Sequence, residues 1–156
     1  RVLFRSTTLE LAAEFENIIG VKEASGNMSQ IMEIIRNKPK DFLVISGDDG
    51  ITMPLIAAGA NGVISVVANA YPAAFSSMVN AALQGKMDEA RRLHYLLLPL
   101  IDGLFSDGSP GGIKAALECM KIVPNNLRLP VVKVNKATQN LINNLIAELK
   151  EKGIEC

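Results

Sequence analysis

NIIGVKEASGN, residues Asn17–Asn27, decides the fold: a continuous apolar run, a single lysine directly after it, then a polar turn before the next periodic segment. An unbroken apolar run bounded by turn residues reads as a strand covered on both faces, here Asn17–Val21. Upstream, TLELAAEF (Thr8–Phe15) has helical spacing. Downstream, Ile31, Ile34 and Ile35 recur at helical intervals, and FLVI (Phe42–Ile45) forms a second buried run. Asp48 and Asp49 suit a helix N-terminus, Gly59 suits its end, and GVISVV (Gly62–Val67) reads as a third buried strand. Helix and strand thus alternate, the signature of a parallel sheet with crossover helices.

Beyond Tyr71-Pro72 only helical patterns follow. They run over Ala73–Leu83, then along a face bearing Met87, Ala90, Leu93, Leu97, Leu100 and Leu104, with Pro99 expected to kink that helix. A helix over about Gly111–Met120, the proline-bounded NNLRLP (Asn125–Pro130) and a final amphipathic helix through Leu141, Ile142, Leu145, Ile146 and Leu149 complete the tail. No G-x-G-x-x-G and no Walker-type loop follows a strand, so a (β/α) barrel is favoured over a doubly wound nucleotide-binding sheet. Three strands do not close a barrel of eight, which takes about 250 residues. The chain is therefore expected to be the C-terminal part of a larger protein, with open sheet edges that favour self-association.

Composition narrows the function classes. The 156 residues carry 16 Lys+Arg against 16 Asp+Glu, so there is no basic field for nucleic acid. The longest apolar stretches, such as Leu96–Ile101, fall short of the ~20 residues of a membrane span. Cys119 and Cys156 have no paired spacing, which points to a reducing, cytoplasmic setting, and RVLFRSTT at the N-terminus lacks the apolar core of a targeting signal.

Lys22 is the first chemical candidate. Side chains at the C-terminal ends of barrel strands project into the pocket made by the following loops. A partly desolvated lysine there favours the neutral amine and can attack a carbonyl to form a Schiff base. The alternative is a lysine that leaves the sheet for solvent and pairs with Glu23. Asp48-Asp49 could be a carboxylate pair for Mg²⁺, but adjacent acids at a helix start are more often caps. Gly59-x-x-Gly62 and DGSPGG (Asp107–Gly112) could cradle phosphate, although turn geometry and helix entry explain them as well. His94, isolated on an amphipathic helix, reads as a surface or boundary residue. Tyr71 and Tyr95 read as packing or capping residues.

The ordered set NIIGVKEASGN, SGDD (Ser46–Asp49) and GANGVISVVAN (Gly59–Asn69) closely resembles the dihydrodipicolinate synthase family. The resemblance runs from about Thr7 to the final helix and leaves residues 1–6 unmatched. It divides the chain into residues 7–84, the last three strand-helix units of a (β/α)8 barrel, and 85–156, a helical region. It implies a class I aldolase-type lyase that condenses pyruvate with aspartate semialdehyde, with no metal and no cofactor beyond the imine on Lys22. It also implies that Gly47 and Ile64 line the substrate pocket, the latter through backbone carbonyl contacts, and that the parent is a homo-oligomer, commonly a homotetramer. The proton-relay tyrosine and the carboxylate-binding threonine pair of the family lie upstream of this chain, so the chain alone is expected to be inactive. Two alternatives share some of these features: a sister pyruvate-dependent aldolase, acting on N-acetylneuraminate or 2-keto-3-deoxy sugar acids, and a non-catalytic half-barrel acting only through association.

Overall fold

A computed structural model describes residues 4–156; residues 1–3 of the unmatched N-terminal segment lie outside the described residues. The chain runs α1 (Arg5–Glu14), β1 (Gly20–Glu23), α2 (Met28–Asn37), β2 (Leu43–Ser46), a short 3-10 turn at Asp49–Ile51, α3 (Thr52–Ala57), β3 (Gly62–Val63), a second 3-10 turn at Val67–Asn69, then α4 (Pro72–Leu83), α5 (Met87–Phe105), α6 (Gly111–Cys119) and α7 (Lys136–Glu151). The three strands form one parallel sheet in the order β1-β2-β3. Parallel neighbours joined through helices are the repeating unit of α/β folds, so the alternating pattern places the elements correctly.

Two compact units divide the chain. One holds the residues up to Ser65 together with Val79–Ala90; the other holds Val66–Met78 and Arg91–Cys156. In the first, Ile31 and Ile34 of α2, Phe42 and Val44 of the β2 region, Leu55 of α3 and Ala60 form a buried cluster, with Ala12, Ile18 and Val21 packed against it. A second cluster gathers Ile56, Ala81, Ala82 and Ala90.

Strand limits differ from the apolar runs for a register reason. β1 starts at Gly20, not Asn17, because its ladder pairs Gly20 with Leu43 and Glu23 with Ser46. Gly20 permits that approach, since a Cβ there would lie 2.9 Å from Leu43 Cβ. Ile18 instead donates its amide to Phe15 in the turn after α1, and Ile19 is exposed. β3 is shortened to two residues because β2 ends at Ser46: after the Ile64 amide reaches the Ser46 carbonyl at 2.9 Å, the ladder has no further partner and the chain turns into the 3-10 segment. Coverage on both faces also fails among the described residues. Val44, Ser46 and Glu23 are buried, whereas Lys22, Leu43 and Ile64 on the opposite face are exposed.

In the second unit Tyr71, Phe75, Met78, Leu97, Leu100, Leu104 and Ile142 are fully buried. Pro72 opens α4 at the position where its missing N–H is harmless. α5 runs unbroken through Pro99. α6 packs on α7, and Gly112 admits the Leu104 backbone so closely that any Cβ would collide with its carbonyl. Asn135 caps α7 by accepting from Thr138 N at 2.9 Å, while Asp107 accepts from the Asn135 backbone and side-chain nitrogens at 2.8 and 2.9 Å. Within DGSPGG, Asp107 thus serves helix entry. No helix among the described residues is long and apolar enough to cross a membrane.

Candidate active site at the strand ends

The C-terminal ends of the three strands bring Lys22, Gly47 and Ile64 to one end of the sheet. Lys22 is the third residue of β1, opposite Ile45, and therefore lies within the strand where sequence placed it just after. Gly47 follows β2 directly and donates its amide to the Glu23 carbonyl at 2.7 Å. Ile64 follows β3, tied to Ser46 as above, with its side chain exposed. The Lys22 side chain lies across the end of β2: a Cβ on Gly47 would stand 2.8 Å from Lys22 Cε and 2.7 Å from Ala24 Cβ. Glycine at that position is therefore what makes room for the aliphatic stem of the lysine.

Two details correct the sequence reading of Lys22. Its side chain is exposed, so the elements of this chain do not supply the desolvation expected at a strand end. Nor does Glu23 serve as its ion-pair partner. Adjacent strand residues point to opposite faces, and Glu23, only 5 % exposed, turns inward. Its carboxylate accepts from Ser25 N at 3.1 Å, Ser25 Oγ at 2.9 Å and Gln30 Nε2 at 3.3 Å. Among the described residues Lys22 has no ion pair, and its exposure is what the alternative of a lysine leaving the sheet for solvent expects.

The loop after β2 is equally ordered. Ser46 Oγ donates to the Asp48 carbonyl at 2.9 Å and receives the Asp48 amide at 3.2 Å; Thr52 Oγ1 lies 3.0 Å from Ser46 Oγ and 2.7 Å from the Asp48 carbonyl. Asp48 Oδ1 caps the 3-10 turn through Gly50 N at 3.0 Å, so of the acid pair Asp48 takes the expected capping role. Asp49 is buried, and among the described residues no group of three or more His, Cys, Asp or Glu side chains gathers to hold a metal. Gly59, at φ +107°, closes α3 in a left-handed turn.

The sequence reading named Glu23 only as a partner for Lys22 and Ser46 only as part of the SGDD motif, and it passed over Thr52. Their signal is a polar side chain at the inward-facing position of a strand end, with a hydroxyl or amide two to seven residues later.

The remaining candidates belong to the helical unit. Tyr71 is buried, and that burial, with smaller electrostatic repulsion from Cys156 and Cys119, pushes its phenol up to about 12, which suits packing and not proton transfer. Tyr95 is exposed on α5, edge-on to the His94 ring at 5.1 Å. His94 is not a surface residue: it is 5 % exposed, its Nδ1 finds no partner among the described residues, and burial lowers its pKa below 6.5. Its neighbours on the buried stripe, Leu93 and Leu97, carry it inward with them. Cys119 and Cys156 are both free and exposed.

Comparison with known proteins accords with these motifs. Among curated proteins, the 4-hydroxy-tetrahydrodipicolinate synthase of Phocaeicola vulgatus is 51% identical over 146 residues, 94% of this chain and 49% of its own length. That of Flavobacterium psychrophilum is 48% identical over 145 residues, 93% of this chain and 50% of its own. This chain thus spans about half the length of the curated relatives it matches. Among solved structures, dihydrodipicolinate synthase from Thermotoga maritima superposes with a TM-score of 0.90 at 36% identity, covering 97% of this chain and 51% of that one. The chloride-inhibited Acinetobacter baumannii enzyme, complexed with pyruvate, gives 0.89 at 32% identity over 97% of this chain and 51% of that one. The sequence profile of the dihydrodipicolinate synthetase family matches residues 2–149, so the match takes in all but the first of the six N-terminal residues, and α1 begins within them at Arg5. By this match the chain belongs to the dihydrodipicolinate synthetase family.

Proposed function

We propose that this chain is the C-terminal half of a (β/α)8 barrel, residues 7–84 supplying barrel and 85–156 a helical region, in a cytoplasmic lyase that condenses pyruvate with aspartate semialdehyde toward lysine and diaminopimelate. Lys22 is its nucleophile. The observation that carries the reading is the placement of Lys22 at the C-terminal end of a parallel strand, on the open face of the sheet, with Gly47 shaped around its stem. Family membership and the pyruvate complex of the Acinetobacter baumannii relative support it.

In the proposed reaction the neutral Lys22 amine attacks the keto carbon of pyruvate, and loss of water leaves an imine. The protonated imine acts as an electron sink, so the methyl carbon gives up a proton and becomes an enamine carbon. That carbon then adds to the aldehyde of the second substrate, and attack on the imine carbon by that substrate's own amino group, or by water, breaks the bond to Nζ, releases the product and regenerates the amine. No metal or organic cofactor enters this scheme. Gly47 and Ile64 line the substrate beside the imine, and the pocket wall that desolvates Lys22 comes from the other half of the barrel. The complete protein is a homo-oligomer in this reading.

The test is borohydride trapping with pyruvate, followed by peptide mass spectrometry, on this chain and on a chimera extended N-terminally with the matching half of the Phocaeicola vulgatus relative. An adduct on Lys22 in the chimera, and little or none in the short chain, is the expected result. An adduct on another lysine, or none in the chimera, overturns the assignment. Turnover of the chimera with a sugar aldehyde but not with aspartate semialdehyde would move the reading to the sister aldolases.

A further inference from the structure

Glu23 is a buried carboxylate one residue from the proposed nucleophile, and the scheme above gives it no task. It is 5 % exposed, a costly place for a carboxyl group unless its oxygens are well used. They are. Oε2 accepts both the amide and the hydroxyl of Ser25, at 3.1 and 2.9 Å, and Oε1 accepts from Gln30 Nε2 at 3.3 Å. Ser25 Oγ in turn accepts the Asn27 amide at 3.1 Å, and Asn27 Oδ1 accepts Gln30 N at 3.0 Å as the cap of α2. One side chain therefore ties the whole turn from β1 to α2 back onto the strand end. The backbone of the same residue accepts the Gly47 amide at 2.7 Å, a direct link between β1 and the glycine that faces Lys22 Cε.

Resting on the proposed role of Lys22, we infer that Glu23 is a positioning residue for that lysine: its carboxylate fixes the turn, its carbonyl fixes Gly47, and together they hold the Lys22 stem in one direction across the end of β2. A lysine has four rotatable bonds and a strand-end backbone that can fray, so an amine whose attack angle matters gains from a rigid base. The carboxylate acts on the backbone that carries Lys22 and not on its ammonium, because the two side chains leave the strand on opposite faces. An amide of the same shape still accepts from Ser25, so Glu23→Gln should keep the turn, whereas Glu23→Ala removes every acceptor.

The experiment uses the chimera described above and measures the rate of pyruvate trapping at Lys22, with amine labelling of Lys38 as a reporter of the fold. Lys38 Nζ donates to the Phe42 carbonyl at 2.6 Å near the start of β2, and its protection reports an intact sheet. The expected result is a trapping rate at least tenfold lower in Glu23→Ala at saturating pyruvate, recovery to within about threefold of wild type in Glu23→Gln, and unchanged protection of Lys38. Wild-type trapping in Glu23→Ala overturns the inference. So does an equal loss in Glu23→Gln, which would mean that charge is what matters. Loss of Lys38 protection in parallel with trapping would reduce Glu23 to a fold-stabilising residue, again overturning it. Absence of an adduct in the wild-type chimera is a different result: it removes Lys22 as nucleophile and takes this inference down with it.

Discussion

In the sheet unit the buried carboxylate of Glu23 takes three donors from the turn that follows it, and the Ser46 hydroxyl is tied to Asp48 and Thr52. In the helical unit His94 and Asn125 are buried with Nδ1 and Oδ1 unpartnered among the described residues, and the largest fully buried side chains are apolar or aromatic ones such as Tyr71, Phe75, Leu97, Leu100 and Ile142. The contrast separates two kinds of order. Hydrogen bonds aim groups in particular directions and suit a region that must hold an amine and two loop peptides in place. Apolar packing is tolerant of direction and suits a region that contributes stability. The first unit should therefore be sensitive in chemistry and the second in melting temperature.

Replacing the proposed nucleophile gives the sharpest test of that division. Lys22→Arg should abolish trapping in the chimera, because a guanidinium stays protonated and cannot form the imine. The melting temperature of this chain should barely change, since Lys22 is exposed and has no ion pair among the described residues. Trapping at the wild-type rate would sink the role of Lys22; loss of folding would show that the strand-end lysine is structural. In the helical unit the prediction is reversed. Leu97→Ala removes a fully buried side chain from α5, and such truncations cost about 2–5 kcal/mol. Thermal melts of this chain should record a drop of several degrees or more, with the amine reactivity of Lys22 unchanged wherever the chain remains folded. A change in Lys22 reactivity in the folded state would dissolve the distinction.

Gly47→Ala sharpens it further. The added methyl would stand 2.8 Å from Lys22 Cε and 2.7 Å from Ala24 Cβ, with the Glu23 carbonyl 3.2 Å away. The lysine stem can swing aside, whereas Ala24 Cβ is fixed to its backbone, so both the direction of Lys22 and the end of β1 have to shift. Trapping in the chimera should fall about ten- to a hundredfold, for a stability cost of about 1–3 kcal/mol. Equal rates would mean that the lysine stem does not depend on this glycine.

How far the sequence reached follows the same line. Alternation of apolar runs and helical periods located every main helix and the parallel sheet, because those signals come from burial. Lys22 stood out by its place at the end of an apolar run, whereas Gly47 and Ile64 became candidates only through the resemblance of their motifs. What was not legible was geometry that two distant segments decide together. Asn17–Ile19 looked like strand, but the ladder starts where Gly20 meets Leu43; GVISVV lost most of its length because β2 ends at Ser46. Glu23 looked like a partner for Lys22 until strand alternation sent it to the other face. His94 looked like a surface or boundary residue because its polar name outweighed its place on the Leu93–Leu97 stripe.

That histidine supplies the smallest expected effect. Burial lowers its pKa from 6.5 in the folded chain, so between the folded and the unfolded value the unfolded chain binds more protons. Stability contributed by the neutral ring is therefore complete above the unfolded pKa and is lost as pH falls through 6.5 toward the folded value. Melting temperatures of this chain should decline on going from about pH 7.5 to about pH 5. His94→Phe keeps a ring against Tyr95 but has nothing to titrate, so its melting temperature should decline less over the same interval. An identical slope in the two proteins would mean that the acid sensitivity arises elsewhere, and that an unpartnered nitrogen in the helical unit has no bearing on its stability.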